Sequence, residues 1–167
     1  MVDPIEALAY KVAVKVKQCN PDITAHVEDI RYGAAYYINY YSVIIVTLIL
    51  GFLTGELLWT GISLISFGIL RKYSGGFHLR SLTGCAVVTI ILLSVIPHIK
   101  ISGSWNIQAL NLASLLLIVL YVENNTNKYM GVMLVMTNVL FASSTVALTF
   151  FVQALTIIRL NRGGEHR

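Results

Sequence analysis

The sequence predicts an all-α integral membrane protein, a bundle of about six transmembrane helices preceded by an N-terminal amphipathic interfacial helix. Of the 167 residues, 56% are hydrophobic and 12% are charged, and the mean hydropathy is +0.73. A soluble domain has about a quarter of its residues charged. From Tyr129 to Ile158 there is no acidic or basic side chain. Because a globule of this length is too small to bury such segments, lipid is the expected solvent for a single domain over residues 1–167.

Residues 1–31 are the most charged part of the chain and are expected to be cytoplasmic or interfacial. Apolar side chains at helical spacing predict an amphipathic helix that ends near Pro21, since proline cannot continue a helix. These side chains are Ile5, Leu8, Ala9, Val12 and Val16. A basic amphipathic helix before a membrane span would lie in the interface, and packing on the cytoplasmic face of the bundle is the equal alternative. No cleavable signal peptide is expected, because the first 20 residues lack an unbroken apolar region.

The predicted transmembrane bundle occupies residues 34–158 and is followed by a basic tail over residues 159–167. Its apolar segments are 34–54, 56–70, 82–96, 105–122 and 129–158. The last segment is too long for one upright span and short for two. If it forms a hairpin near Ser143-Ser144-Thr145, Arg159, Arg162 and Arg167 lie on the cytoplasmic side, where basic residues prefer to be. This favours six spans with both termini cytoplasmic, and a single tilted helix stays open as the alternative.

The stretch Arg71–Cys85 joins two apolar segments on the predicted cytoplasmic side and contains His78 and Cys85. A Cys/His pair is the minimum for thiol catalysis, in which the imidazole removes the thiol proton and the thiolate attacks a carbonyl. Seven residues of continuous helix would separate the pair by about 10 Å. His78 is therefore expected in a loop, with Ser81 capping a helix that carries Cys85 in its first turn or just after it. Helix-start N–H groups there could form an oxyanion hole.

On spacing alone, other interpretations of this stretch remain open. Cys85 could be a packing residue and His78 a solvated loop residue. Arg71 and Lys72 could bind substrate carboxylates or anchor a span at lipid head groups. No metal site is predicted, because His78 and Cys85 lack two further ligands nearby.

The pattern Arg71, Gly75-Gly76, His78 and Cys85 between apolar segments resembles the AgrB (accessory gene regulator B) family of bacterial quorum-sensing peptide processors. The resemblance implies a multi-pass membrane cysteine endopeptidase with His78 as general base and Cys85 as nucleophile, acting at the cytoplasmic face as a homodimer. It implies cleavage of a short, amphipathic propeptide with an acidic C-terminal part, followed by cyclisation to a thiolactone or lactone. The expected substrate-binding residues are Arg71, Lys72, Gly75, Gly76 and Arg80. Neither a cofactor nor a nucleic-acid partner is expected.

The chain departs from the family pattern after the fourth apolar segment, where the sequence is Val122-Glu123-Asn124-Asn125-Thr126-Asn127-Lys128 and contains no proline. Glu123, Asn124 and Asn125 share the predicted side of His78 and are the candidates for orienting its imidazole. The competing functional hypothesis is a small non-enzymatic membrane transporter or scaffold.

Overall fold

A computed structural model describes residues 3–76 and 81–161, with side chains through Ile158. In these ranges the chain forms seven α-helices and one 3-10 turn, with no strand. The helices are α1 Pro4–Cys19, α2 Val27–Leu53, α3 Leu57–Ser74, α4 Leu82–Val95, α5 Ser104–Tyr121, α6 Asn125–Phe141 and α7 Ser144–Asn161. The 3-10 turn, Ile96–His98, follows α4 and contains Pro97. The all-α class is therefore confirmed.

Two helices, α2 and α5, are both long and apolar enough to cross a bilayer by themselves within the described ranges. Leu82–His98 and Ser144–Ile158 are shorter apolar helices. The predicted apolar segments agree with helix positions to within a few residues, except that α2 begins seven residues before residue 34.

Contacts group the chain into two compact units. The first takes in the chain through Thr47 together with the start of α4 through Ile91, and the second takes in the rest of the described chain. In the first unit, α1 buries Ala9 and Ala13 completely, whereas Leu8 is 51% exposed. Val12 and Val16 are exposed on the same helix. The predicted amphipathic helix is present, and its larger apolar side chains remain open to lipid or to a partner.

In the second unit, the ends of several helices lie close together at each of two opposite ends of the unit. At one end, Glu56 before α3, Lys100 before α5 and the Ala142–Thr145 turn line one cavity of about 570 Å³. At the other end, Leu70 of α3, Val122 after α5 and Ile157 of α7 belong to one buried cluster. It follows that α3, α5 and α7 run in one direction. The helix between them in sequence, α6, runs in the opposite direction, because it ends at the first place.

The chain between α6 and α7 turns at Ala142 and Ser143, although no glycine or proline marks the position. Ala142 adopts a left-handed conformation with φ 49°. The buried amide of Asn138 replaces the missing turn residue: its Oδ1 accepts the Ser143 N–H at 3.1 Å, and its Nδ2 donates to the Ser143 carbonyl at 3.1 Å. Nδ2 also donates to Asn111 Oδ1 at 3.0 Å. Because these bonds satisfy the backbone groups that the helix break exposes, residues 129–158 form parts of two helices rather than one.

Candidate active site

The end of α3 carries two of the predicted substrate-binding cations. The Arg71 guanidinium lies 5.5 Å from the centre of the Phe67 ring, and the Lys72 ammonium lies 5.8 Å from the centre of the Tyr73 ring. Arg71 is half-buried and Lys72 is exposed. Both cations therefore stand over aromatic faces of their own helix, an arrangement that holds them at its C-terminal end. Their role in substrate binding stays a prediction.

The glycine pair follows directly and ends α3. Gly75 has φ 70° and donates its N–H to the Arg71 carbonyl at 3.0 Å, and Gly76 has φ 151°. Residues with a Cβ rarely adopt either conformation. A Cβ at Gly76 would also lie 2.8 Å from Thr156 Oγ1 and 3.1 Å from Gln153 Nε2. The turn thus requires glycine at residue 76 for two reasons, its backbone angle and its close approach to α7.

Gln153 of α7 forms hydrogen bonds with this turn, and the sequence did not identify it as a site residue. Its side chain is fully buried. Nε2 donates to the Gly75 carbonyl at 2.6 Å and to Ser74 Oγ at 3.2 Å. Composition could have indicated this residue, because Asn138 and Gln153 are the two amide side chains in the uncharged stretch 129–158. Both amides stabilise backbone turns, which a buried amide does well because it can donate and accept at once.

Cys85 lies in the first turn of α4. The helix begins at Leu82, and Ser81 caps it, since Ser81 Oγ accepts the Gly84 N–H at 3.1 Å. Cys85 is a half-buried thiol, and its own N–H donates to the Ser81 carbonyl at 3.0 Å. The predicted cap and the predicted place of Cys85 are therefore confirmed. His78 and Arg80 lie outside the described residues, so the approach of the imidazole to the thiol stays a prediction.

The N–H groups expected to form an oxyanion hole already have acceptors. The Thr83 N–H donates to Asp3 Oδ2 at 3.0 Å, the Gly84 N–H to Ser81 Oγ and the Cys85 N–H to the Ser81 carbonyl. In this arrangement the first turn of α4 offers no donor from these three residues to a substrate oxygen. An oxyanion hole built from them requires the release of Asp3 or of the Ser81 hydroxyl.

Asp3 links the start of α1 to the start of α4 within the first unit. Its Oδ1 accepts the Ile5 N–H at 2.9 Å, which caps α1, and the Thr83 hydroxyl at 2.6 Å. Its Oδ2 accepts the Ser81 hydroxyl at 2.6 Å and the Thr83 N–H at 3.0 Å. Burial acts to raise the pKa of Asp3, but these hydrogen bonds outweigh it and hold the pKa well below its usual range. The N-terminal helix is thereby attached to the helix that carries Cys85.

Substituting Asp3→Asn should loosen this attachment while leaving the α1 cap in place. Asparagine keeps one oxygen for the Ile5 N–H, but its amide nitrogen cannot accept the Thr83 N–H. We expect amide hydrogen exchange at residues 81–86 to rise about five- to tenfold, which corresponds to the loss of about 1 kcal/mol for a cap. Mass-spectrometric hydrogen exchange of the protein in detergent or nanodiscs measures this.

The exposed Asp22 supplies the matched control, because Asp22→Asn changes the net charge equally without touching α4. The pH dependence has a definite sign. A carboxyl with a lowered folded-state pKa contributes stability that is fully present above its unfolded pKa of about 4 and declines as the pH falls further. Protection of residues 81–86 should therefore decrease below about pH 4 in the wild type and change less in Asp3→Asn. Equal exchange in both variants would contradict the attachment.

The polar loop before α6 has a structural role of its own. Asn124 is the N-cap of α6, and its Oδ1 accepts the Asn127 N–H at 3.2 Å. Glu123 and Asn125 are exposed. The cap explains the asparagine at residue 124. Whether any of the three orients His78 stays a prediction.

No three metal-ligating side chains come together in the part of the chain that the structure describes. The second thiol, Cys19, is exposed at the C-terminal end of α1.

The accessory gene regulator B family model matches residues 8–130 of the chain. A curated protein of Halalkalibacterium halodurans (strain C-125), named an AgrB-like protein, is 28% identical over 102 residues. This match covers 60% of the chain and 51% of the relative, so the chain spans about half the length of that relative. No solved structure matches the chain. The family match includes the whole stretch from Arg71 to Cys85.

Proposed function

The chain belongs to the accessory gene regulator B family, and from this premise we propose that it is a membrane cysteine endopeptidase. Membership places it in a family of membrane proteins and supports a role in processing a quorum-sensing propeptide. The proposed reaction is cleavage of a short, amphipathic propeptide with an acidic C-terminal part at the cytoplasmic face of the bacterial membrane. The observation that carries the proposal is the position of Cys85, a half-buried thiol in the first helical turn after the Gly75-Gly76 and His78 motif.

In the proposed mechanism, His78 takes the thiol proton and Cys85 attacks the carbonyl carbon of the scissile peptide bond. The tetrahedral intermediate collapses to an acyl-enzyme, and the imidazolium gives its proton to the leaving amine. A side-chain thiol or hydroxyl of the retained peptide then attacks the thioester, which closes a thiolactone or lactone ring and returns the thiol to Cys85. Exclusion of bulk water at the membrane surface would slow competing hydrolysis of the acyl-enzyme.

Substrate binding is proposed to use the basic end of α3. Lys72 is exposed there, and Arg71 lies beside it, so both can meet an acidic peptide segment near the glycine turn. Gly75 and Gly76 allow a peptide backbone to approach closely, and Arg80 adds a further cation in the same motif. A homodimer is part of the proposal. The apolar α2 side chains Ile45 and Ile49, 54% and 51% exposed, are available to lipid or to a second copy.

Co-expression with the cognate propeptide tests this function. Mass spectrometry of the peptide products should show release of the C-terminal part and a cyclic product from the remainder. If the propeptide is unchanged in the presence of correctly inserted wild-type protein, the endopeptidase activity is contradicted. The transporter or scaffold hypothesis would then be favoured.

The proposal includes six crossings with both termini cytoplasmic. Its support is the opposite direction of α6 and α7, together with the meeting of the turns at Glu56, Lys100 and Ala142–Thr145 around one cavity. The basic residues of the predicted cytoplasmic segments agree with this orientation. Helix length does not by itself require six spans, because in the described chain only α2 and α5 are both long and apolar enough to cross a bilayer completely.

Labelling with a membrane-impermeant maleimide tests this topology. Single cysteines are placed at Ser102 or Arg167 in a background without Cys19 and Cys85, and the two should be labelled differently. Ser102 is exposed in the turn before α5, on the predicted outer side, and should react in intact cells. Arg167→Cys should react only after the membrane is permeabilised, as should the control Asn125→Cys on the predicted cytoplasmic side. Labelling of Arg167→Cys in intact cells would refute the even number of crossings.

A further inference from the structure

We propose that Gln153 is a positioning residue of the active site, which sets the direction of the chain where it leaves α3 toward the segment that contains His78. The inference rests on the proposed function and extends it to α7, beyond the residues 8–130 that the family model matches. It starts from three contacts of one side chain with consecutive residues, Ser74, Gly75 and Gly76.

The hydrogen bonds of Gln153 are placed where they control the turn. The Gly75 carbonyl belongs to the first peptide group after α3, and Gln153 Nε2 donates to it at 2.6 Å. A second bond from Nε2, to Ser74 Oγ at 3.2 Å, connects the amide to the last residue of the helix. Gln153 is fully buried, whereas Gly75 is exposed, so these bonds connect the turn to the interior of the second unit. Rotation of the Gly75–Gly76 peptide group would break the shorter bond and leave the buried Nε2 donor with only its longer bond to Ser74 Oγ.

Close packing on Gly76 adds a second constraint. The Gln153 amide and the Thr156 hydroxyl lie so near the Gly76 α-carbon that there is no space for a methyl group. Glycine is the most flexible residue, so two in succession would leave the following segment free to take many directions. The contacts with α7 remove that freedom, and we infer that this is how a flexible Gly-Gly sequence yields one defined turn.

The remaining amide oxygen, Gln153 Oε1, is buried and has no hydrogen-bond partner among the described atoms. A purely structural amide in an apolar helix usually satisfies both of its ends. Within the described chain, only the donor end of this amide is bonded, and both of its bonds go to the turn.

The decisive variant is Gln153→Met, which keeps the length and flexibility of the side chain and removes its donor. For the purified protein in nanodiscs with its propeptide, we expect kcat to fall by about 10- to 100-fold, since a displacement of about 1 Å can cost that much. KM should change less than kcat, because Gln153 makes its hydrogen bonds to Ser74 and Gly75 and not to the cations Arg71 and Lys72. Ser74→Ala removes the two longer bonds of Ser74 Oγ, at 3.2 and 3.3 Å, but keeps the bond from Gln153 to the Gly75 carbonyl, so it should lower kcat less.

The matched control is Thr149→Val on the same helix. Thr149 is also fully buried and is bonded to Ser63 Oγ at 2.9 Å, but it does not contact the glycine turn. This variant therefore loses comparable interior polarity and should keep its kcat. Hydrogen exchange gives a readout without activity: residues 71–76 should exchange faster in Gln153→Met and unchanged in Thr149→Val.

Wild-type kcat in Gln153→Met, or equal losses in Gln153→Met and Thr149→Val, would overturn the inference. If Gln153→Met does not accumulate in the membrane, Ser74→Ala decides, and unchanged kcat and exchange in that variant would count against a positioning role. The proposed function has a separate test. Processing that survives in Cys85→Ala would contradict the endopeptidase mechanism. Faster exchange at residues 71–76 in Gln153→Met would still support the contact between Gln153 and the glycine turn.

Discussion

Replacement of Cys85 by alanine should abolish propeptide processing, a loss of at least about 10³-fold, because no other group in the proposed site can carry the acyl chain. Cys85→Ser should still accumulate and bind the peptide but be nearly inactive, since a serine hydroxyl is a far poorer nucleophile at a site built for a thiolate. Mass spectrometry of the peptide co-expressed with each variant measures both effects.

Cys19→Ser is the matched control, because Cys19 is the other thiol of the chain and is exposed at the end of α1. It should process the peptide at the wild-type rate. Immunoblots of membrane fractions establish equal amounts of each variant. Full cleavage by Cys85→Ala, or a loss of cleavage confined to Cys19→Ser, would sink the assignment of the nucleophile.

Replacement of His78 by alanine should reduce processing by about 10²- to 10⁴-fold, the usual contribution of a general base. The variant should recover part of its activity as the pH is raised, because the thiol then ionises without help from the imidazole. The rate of product formation by the purified variant across a pH series measures this, and Cys85→Ala should show no such recovery.

His98→Ala serves as the control for loss of an imidazole. His98 is exposed in the 3-10 turn after α4, at the place where the predicted outer turns meet, and its removal should leave the pH profile unchanged. A His78→Ala variant with wild-type activity, or one whose activity falls with rising pH in parallel with the wild type, is incompatible with a general base at this position.

Local chemistry allowed several features to be predicted from short stretches of sequence. The start of α4 at Leu82 follows from the preference of serine for the N-cap, and it puts Cys85 in the first turn without any tertiary contact. The end of α1 before Pro21 has an equally local cause. Apolar runs located most helix positions, because the need to satisfy the backbone in lipid leaves few alternatives to a helix.

Other features depend on residues that are distant in sequence, and no local pattern indicates them. The break between α6 and α7 needs the Asn138 amide, whose orientation is set by Asn111 on α5. Asp3 could not be assigned to α4 from its sequence neighbours, since its partners Ser81 and Thr83 lie about 80 residues away. Occupation of the Thr83 N–H by this carboxylate also changes the expected oxyanion hole, a consequence visible only in three dimensions.

The sequence by itself determined the membrane environment, the helical class, the end of α1, the start of α4 and the place of Cys85 in that helix. These properties follow from hydropathy, proline and capping residues, which act over a few residues of chain. Tertiary structure alone decided the conformation of the Gly75-Gly76 turn. Glycine permits many backbone angles, and only the packing of Gln153 and Thr156 from α7 selects one of them.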